Sequence, residues 1–244
     1  FFYLLTLYAF ARAAEAPAAR RWPVLAVTAC LLGMGSKEVM ATAPLLALLY
    51  DRTFVAGSFT GAWRARRGLH LALAATWLLL AWLVFAGGGT RGTSAGLGLG
   101  VSAWSYLLQQ SEAIVLYLRL AVWPHPLVLD YGTAVVTSVA DVWLEGIAVL
   151  ALLGATAWAL VRRPVAGFCG AWFFVILAPS SSFIPLVSQT MAEHRMYLPL
   201  AAITVPAVAL AWRYLGTRTW LLAFAAGAAW LALTVARNQE YRTA

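Results

Sequence analysis

Five stretches of this sequence, 69–86, 142–161, 165–178, 199–212 and 220–236, are built largely from Ala, Leu, Val, Ile, Phe and Trp. Each approaches or reaches the roughly 20 residues that an α-helix needs to cross the hydrocarbon core of a bilayer. Composition agrees: 63% of the 244 residues are hydrophobic and 11% are charged, where a soluble domain carries about 25% charged residues. The expected fold is all-α, a polytopic transmembrane helical bundle, with residues 1–244 forming part of a single transmembrane domain. A soluble domain fits poorly.

The charged residues sort by position along the chain. Arg12, Arg20 and Arg21 fall in one loop, Arg52, Arg64, Arg66 and Arg67 in the next, Arg162 and Arg163 in a third, and Arg213 and Arg218 in a fourth. These eleven of the 17 basic residues share their side with only Glu15 and Asp51, while the other side receives six basic residues and seven acids. The positive-inside rule makes the arginine-rich side cytoplasmic. The net charge of +8 is therefore a topology signal, and no nucleic-acid partner is expected. Cys30 and Cys169 lie inside apolar blocks and read as small buried residues, neither disulfide nor metal ligand.

On this path residues 1–11 finish a span entering the cytoplasm, and 22–50 leave and return. Twenty-nine residues are too few for two full spans and a turn, so two short or re-entrant helices meeting at GMGSKE are expected. Segment 69–86 leads out. Residues 101–123 form a helix that dips in or lies at the outer interface, ending at WPHP, because proline restricts the residue before it. Then 139–161 comes in, 165–178 goes out, 199–212 comes in and 220–236 goes out. The glycine-rich 87–100 lacks the GKS/T ending of a phosphate-binding loop and reads as an extramembrane linker. The sequence opens inside a hydrophobic segment, FFYLLTLYAFAR, and reads as an internal part of a longer chain.

Polar residues in such a chain need a reason, since a charge at the bilayer centre is unfavourable by about 2.5–3.5 kcal/mol even on insertion scales. Lys37 and Glu38 stand at the tip of the short-helix pair, either as an ion pair at the headgroup level or with the ammonium turned to a lipid phosphate. Gln109, Glu112 and Arg119 share one helical face with Leu116, which fits an interface helix and a substrate groove equally, while Gln110 and Ser111 point elsewhere. Asp130 and Tyr131 suit an ordered loop. Asp141 and Glu145 suit a helix N-terminus; no third ligand accompanies them and no metal site is assigned, although a divalent cation is left open as a cofactor. The densest cluster is SQTMAEHRMYLP at 188–199. A helix there stacks Gln189, Glu193 and Tyr197, with His194 and Arg195 beside that face. Arginine clamps a phosphate bidentately, glutamate can hold the guanidinium, and histidine donates to a phosphate or a sugar hydroxyl. A membrane-anchoring cluster is the simpler alternative.

GSKEVMATAPLLALLYDRTF, YLRLAVWPHPLVLDYG, APSSSFIPLVSQTMAEHRMYLPLA and VARNQEYRTA together resemble the membrane part of the bacterial relatives of the transmembrane-and-tetratricopeptide-repeat O-mannosyltransferases. Those are polytopic glycosyltransferases of the GT-C class, and the similarity spans most of 22–242. The resemblance implies a GT-C-like fold in the bacterial inner membrane with its polar site facing the periplasm. It implies transfer of a sugar from a polyprenyl-phosphate donor to a periplasmic protein or glycan acceptor. A catalytic acid is implied in an external loop upstream of residue 1, and tetratricopeptide repeats after the last span. By motif match, Arg195 meets the donor phosphate with help from His194 and Lys37, Glu193 orients Arg195, and Asp130 contacts sugar hydroxyls. Tyr197 belongs to the same polar loop, with Glu38, Gln189, Tyr131, Glu112 and Arg119 in support. Three other functions stand as alternatives: a transporter or flippase of a lipid-linked substrate, which would use the same charged residues, a non-catalytic anchor for a repeat scaffold, and a ligase joining lipid-linked glycans. A transporter predicts broken helices in two related halves, and the sequence has no convincing internal repeat.

Overall fold

The chain is described here from a computed structural model covering residues 1–86, 102–126, 131, 136–181 and 190–243, the last four as backbone alone. Helices and their connections account for these residues, and no strand occurs among them. Helix α1 (Phe2–Glu15) and α2 (Arg21–Ser36) form a hairpin. Helix α2 ends where Lys37 takes extended backbone (φ −156°, ψ 141°). A 3₁₀ turn at Glu38–Thr42 leads into the eight-residue α3 (Ala43–Tyr50), with Pro44 in its first turn, where a missing N–H removes no helical bond. Residues 22–50 thus form the two short helices expected of them.

Helix α4 (Phe59–Ala86) starts earlier than the loop charges predict and takes in Arg64, Arg66 and Arg67. Its backbone leaves helical geometry at Arg66 (φ −138°, ψ 28°), so a charged lead-in and an apolar remainder meet at that residue. Among the described residues three helical stretches are long and apolar enough to cross a membrane: Phe59–Ala86, Trp143–Arg162 and Ala201–Gln239. The second is α6. The third takes in α8 (Ala201–Leu215), a 3₁₀ turn at Gly216–Arg218 and all but the last four residues of α9 (Thr219–Thr243). Leu150, Trp158, Val205, Trp220 and Phe224 on these helices are all exposed. A contiguous apolar surface of this extent is rare in water and matches hydrocarbon.

The five apolar blocks do not become five full spans. Helix α7 (Pro164–Leu177) has 14 residues, about 21 Å of rise, against a core of about 30 Å. Pro164 opens it and the turn carrying Pro179 closes it. It packs tightly on α6: a Cβ on Gly167 would lie 2.3 Å from the backbone nitrogen of Leu160, and one on Gly170 would lie 2.3 Å from Thr156 Oγ1. Only glycine lets the two backbones approach this closely. Helix α7 also joins two cores. Ile176 packs with Phe10, Met34 and Leu46, and Phe173 and Leu177 pack with Ile114, Tyr117 and Met196.

Helix α5 (Ala103–Val122) is capped by Ser102, whose Oγ accepts from the Ser105 amide, and stops at the WPHP turn. Tyr106 bonds Ser180, Gln110 bonds Thr190 and Tyr117 bonds Ala192. Tyr106 to Tyr117 is twelve residues of helix, about 16 Å of rise, so α5 holds these three positions along three turns.

Candidate functional site

Helix α4 flanks the tip between α2 and α3: Trp77 Nε1 donates to the carbonyl of Ala41 at 2.9 Å. Lys37 and Glu38 are charges in a strongly apolar chain, which need a partner or water. A cleft of about 670 Å³ opens there. Its lining combines the polar Ser36, Lys37, Glu38, Ser180, His194 and Arg195 with apolar residues that include Phe2, Leu4, Val39, Ile176 and Leu198. Residues from opposite ends of the sequence thus share one cavity. Lys37 is exposed and makes no ion pair among the described residues, so the Lys37–Glu38 headgroup pair does not form.

Arg195 is held by main-chain oxygens. Its Nη1 donates to the carbonyls of Ser180 and Thr190, each at 3.2 Å. Each carbonyl also takes a donor from α5: Tyr106 Oη at 2.7 Å to Ser180, and Gln110 Nε2 at 3.1 Å to Thr190. Tyr106 is 0% and Gln110 1% exposed, so the donors that hold these two carbonyls are fixed by the packing of α5. His194 sits beside it at the rim. Partial burial, then the Lys37 ammonium and the Arg195 guanidinium, lower its pKa below the ordinary histidine value, with Glu38 opposing. The imidazole is neutral at pH 7, able to donate from one nitrogen and accept at the other.

Other residues singled out from the sequence take different positions. Glu193–Met196 is a 3₁₀ turn, not an α-helix, because Pro199 disfavours helical backbone at the residue before it. The expected stack of Glu193 and Tyr197 is therefore absent. Glu193 Oε1 accepts from Tyr131 Oη at 2.8 Å, and its Oε2 lies 3.7 Å from Arg237 Nη1 of α9. Tyr197 stands 81% exposed on the cleft rim. The carbonyls of Ser180 and Thr190 contribute to orienting Arg195, the role the sequence assigned to Glu193. On α5, Gln109 is buried and donates to Glu112 at 2.8 Å, while Glu112 and Arg119 are exposed and lie outside the cleft lining. Gln110, off that face as expected, meets Thr190. Asp141 ends a 3₁₀ turn and Glu145 opens α6, as helix N-termini favour. No group of three His, Cys, Asp or Glu suited to a metal occurs among the described residues. Asp130, Gln189 and the glycine-rich 87–100 lie outside the described residues.

A second polar cluster, unread in the sequence, lies at the arginine-rich end. Asp51, 0% exposed, accepts from Arg66 Nε at 2.8 Å and Nη2 at 2.5 Å, and its Oδ2 lies 2.8 Å from His70 Nε2. Burial works against the anion, but the donors Arg66 and His70 outweigh it, and the carboxyl titrates below its ordinary range. The available signal was Arg66 and His70 at i and i+4, facing an acid in the preceding turn.

No family model, curated protein or solved structure matches the chain. Its function is therefore read from the cleft.

Proposed function

We propose that the chain is the membrane part of a GT-C-like glycosyltransferase that moves a sugar from a polyprenyl-phosphate donor to an extracytoplasmic protein or glycan acceptor. The observation that supports this is a cleft whose lining joins Lys37, His194 and Arg195 with Phe2, Leu4, Ile176 and Leu198. A lipid-borne phosphate diester combines the matching parts: an anion that needs donors and a hydrocarbon tail that avoids water. When the sugar–oxygen bond breaks, negative charge grows on the departing phosphate. Cations already fixed in a partly dry cleft stabilise that charge without reorganising. Arg195, bracketed by carbonyls, is the fixed clamp, Lys37 the mobile one, and neutral His194 a donor to phosphate or sugar oxygen.

In this proposal the cleft faces the periplasm of a bacterial inner membrane. The opposite end carries the buried Asp51–Arg66 pair and the arginine-rich turns, as the positive-inside rule asks of a cytoplasmic face. The acid that activates the acceptor is assigned to an upstream loop, and tetratricopeptide repeats to a segment after α9. The test uses the intact protein in proteoliposomes with a labelled polyprenyl-phosphate sugar. Arg195→Ala lowers transfer about 100-fold, the scale of one lost transition-state donor, with membrane insertion retained. Unchanged transfer removes Arg195 from the reaction. Movement of the donor across the bilayer without transfer replaces the enzyme with a transporter.

A further inference from the structure

The hairpin of α1 and α2 carries a second feature, at the end away from the cleft and sharing no residue with it. Trp22, in the first turn of α2, meets Tyr8 edge-on at 5.8 Å between ring centres. Two guanidiniums flank its ring, Arg12 at 5.4 Å and Arg21 at 5.1 Å from the centre. A guanidinium stacked on an indole uses its face, and its N–H donors lie in the plane, still directed outward. Arg12 gives Nη1 to Glu15 at 2.8 Å, while its Nε is buried with no hydrogen-bond partner. Arg21 has no hydrogen bond to a protein acceptor among the described residues.

The helix start makes the arrangement stranger. Helix α2 has no side-chain cap and no acid in its first turn, and Arg20 and Arg21 stand there instead. Cations at the positive end of a helix dipole are unfavourable, and an anion in that place offsets both charges. Beyond Trp22 a groove of about 390 Å³ runs along α2, lined by Arg21, Trp22, Val24, Leu25 and Thr28. The site therefore has a cationic head, an amphipathic ring at the level where indoles favour the bilayer interface, and an apolar strip below.

We propose that Arg12, Arg21 and Trp22 hold the phosphate of an anionic phospholipid whose acyl chain lies along Val24, Leu25 and Thr28. A zwitterionic lipid would bring its ammonium against two guanidiniums, and free phosphate has no chain for the strip. Juxtamembrane basic residues attract anionic lipid by about 1 kcal/mol each; the stacked pair adds a fixed geometry to that attraction.

The intact protein in phosphatidylcholine nanodiscs is titrated with phosphatidylglycerol, followed by unfolding temperature and by lipid retained in native mass spectrometry. Wild type gains several degrees and retains the anionic lipid. The R12Q/R21Q protein loses the gain and retains at least fivefold less, whereas R64Q, which removes an arginine that neither meets Trp22 nor lines the groove, behaves as wild type. Equal gains in wild type and R12Q/R21Q, equal gains with added phosphatidylcholine, or equal gains with inorganic phosphate each overturn the proposal. Should R12Q/R21Q not fold, a photoreactive acyl chain on phosphatidylglycerol decides in wild type. Adducts at 24–28 support the site, and adducts only elsewhere overturn it.

Discussion

Replacing Asp51 by Asn tests whether the arginine-rich end is held by a buried ion cluster. The carboxylate is fully buried and accepts two bonds from Arg66, with His70 at 2.8 Å. Asparagine keeps one acceptor oxygen and turns an amide donor toward cationic donors, leaving at least one of them unsatisfied. Removing one partner of a buried ion pair costs about 3–5 kcal/mol. Arg66 retains 18% side-chain exposure, so water recovers part of this, and about 3 kcal/mol is expected. Arg66→Gln leaves His70 in place and costs about 2 kcal/mol, while the double variant costs about 3, a coupling near 2 kcal/mol. The assay is reversible unfolding in bicelles, run as a double-mutant cycle. Because the folded carboxyl titrates below its ordinary range, its stabilisation is complete above the ordinary carboxylate pKa and is lost as pH falls through the folded value. D51N lacks that acid-side loss. A D51N protein within about 0.5 kcal/mol of wild type, or additive single effects, would refute the cluster's role.

Three further outcomes follow from the geometry. Tyr106→Phe removes one of two donors to the Ser180 carbonyl, so stability falls by only about 0.5–1 kcal/mol. Polyprenyl-phosphate affinity drops about threefold to tenfold in wild type and not at all in an Arg195→Ala background, where there is no guanidinium left to position; a binding isotherm for each protein checks this. Gly167→Ala puts a methyl against the backbone of Leu160 and costs about 2–3 kcal/mol, whereas Gly154→Ala, with no atom within 4 Å of the new Cβ, is neutral in the same unfolding assay. His194 has a lowered pKa, so its contribution to stability is present above the ordinary histidine value and lost as pH falls through the folded one. A bound phosphate raises that pKa, so affinity for the polyprenyl-phosphate sugar, a diester that keeps a single charge across this range, strengthens from pH 8 toward pH 5, and His194→Gln flattens the profile.

The all-α class was legible from apolar block lengths alone, and the short pair at 22–50 from a length too small for two crossings. The meeting of Lys37 with His194 and Arg195 was legible because loop charges send both segments to one side. What failed was facing and depth. On α5 a spacing of 109, 112, 116 and 119 defines a face as well as 106, 110, 113 and 117 does, and only the partner at 180–192 decides that the second is buried. Glu193 and Tyr197 were stacked on a helix that Pro199 prevents. Asp51 looked like a loop acid because its partner is 15 residues away across a kink, beyond any helical period. Helix α7 looked like a span because composition does not register that Pro164 and Pro179 bound it.

The most direct measurement is photo-crosslinking of the intact protein, in membranes, with a polyprenyl phosphate carrying a diazirine beside the phosphate, followed by peptide mapping. Adducts are expected on residues 36–40 and 194–198, displaced by unlabelled polyprenyl phosphate and lost in K37Q/R195Q. Adducts confined to the outer surfaces of α6, α8 and α9, and unchanged in K37Q/R195Q, would contradict a lipid-phosphate site in the cleft.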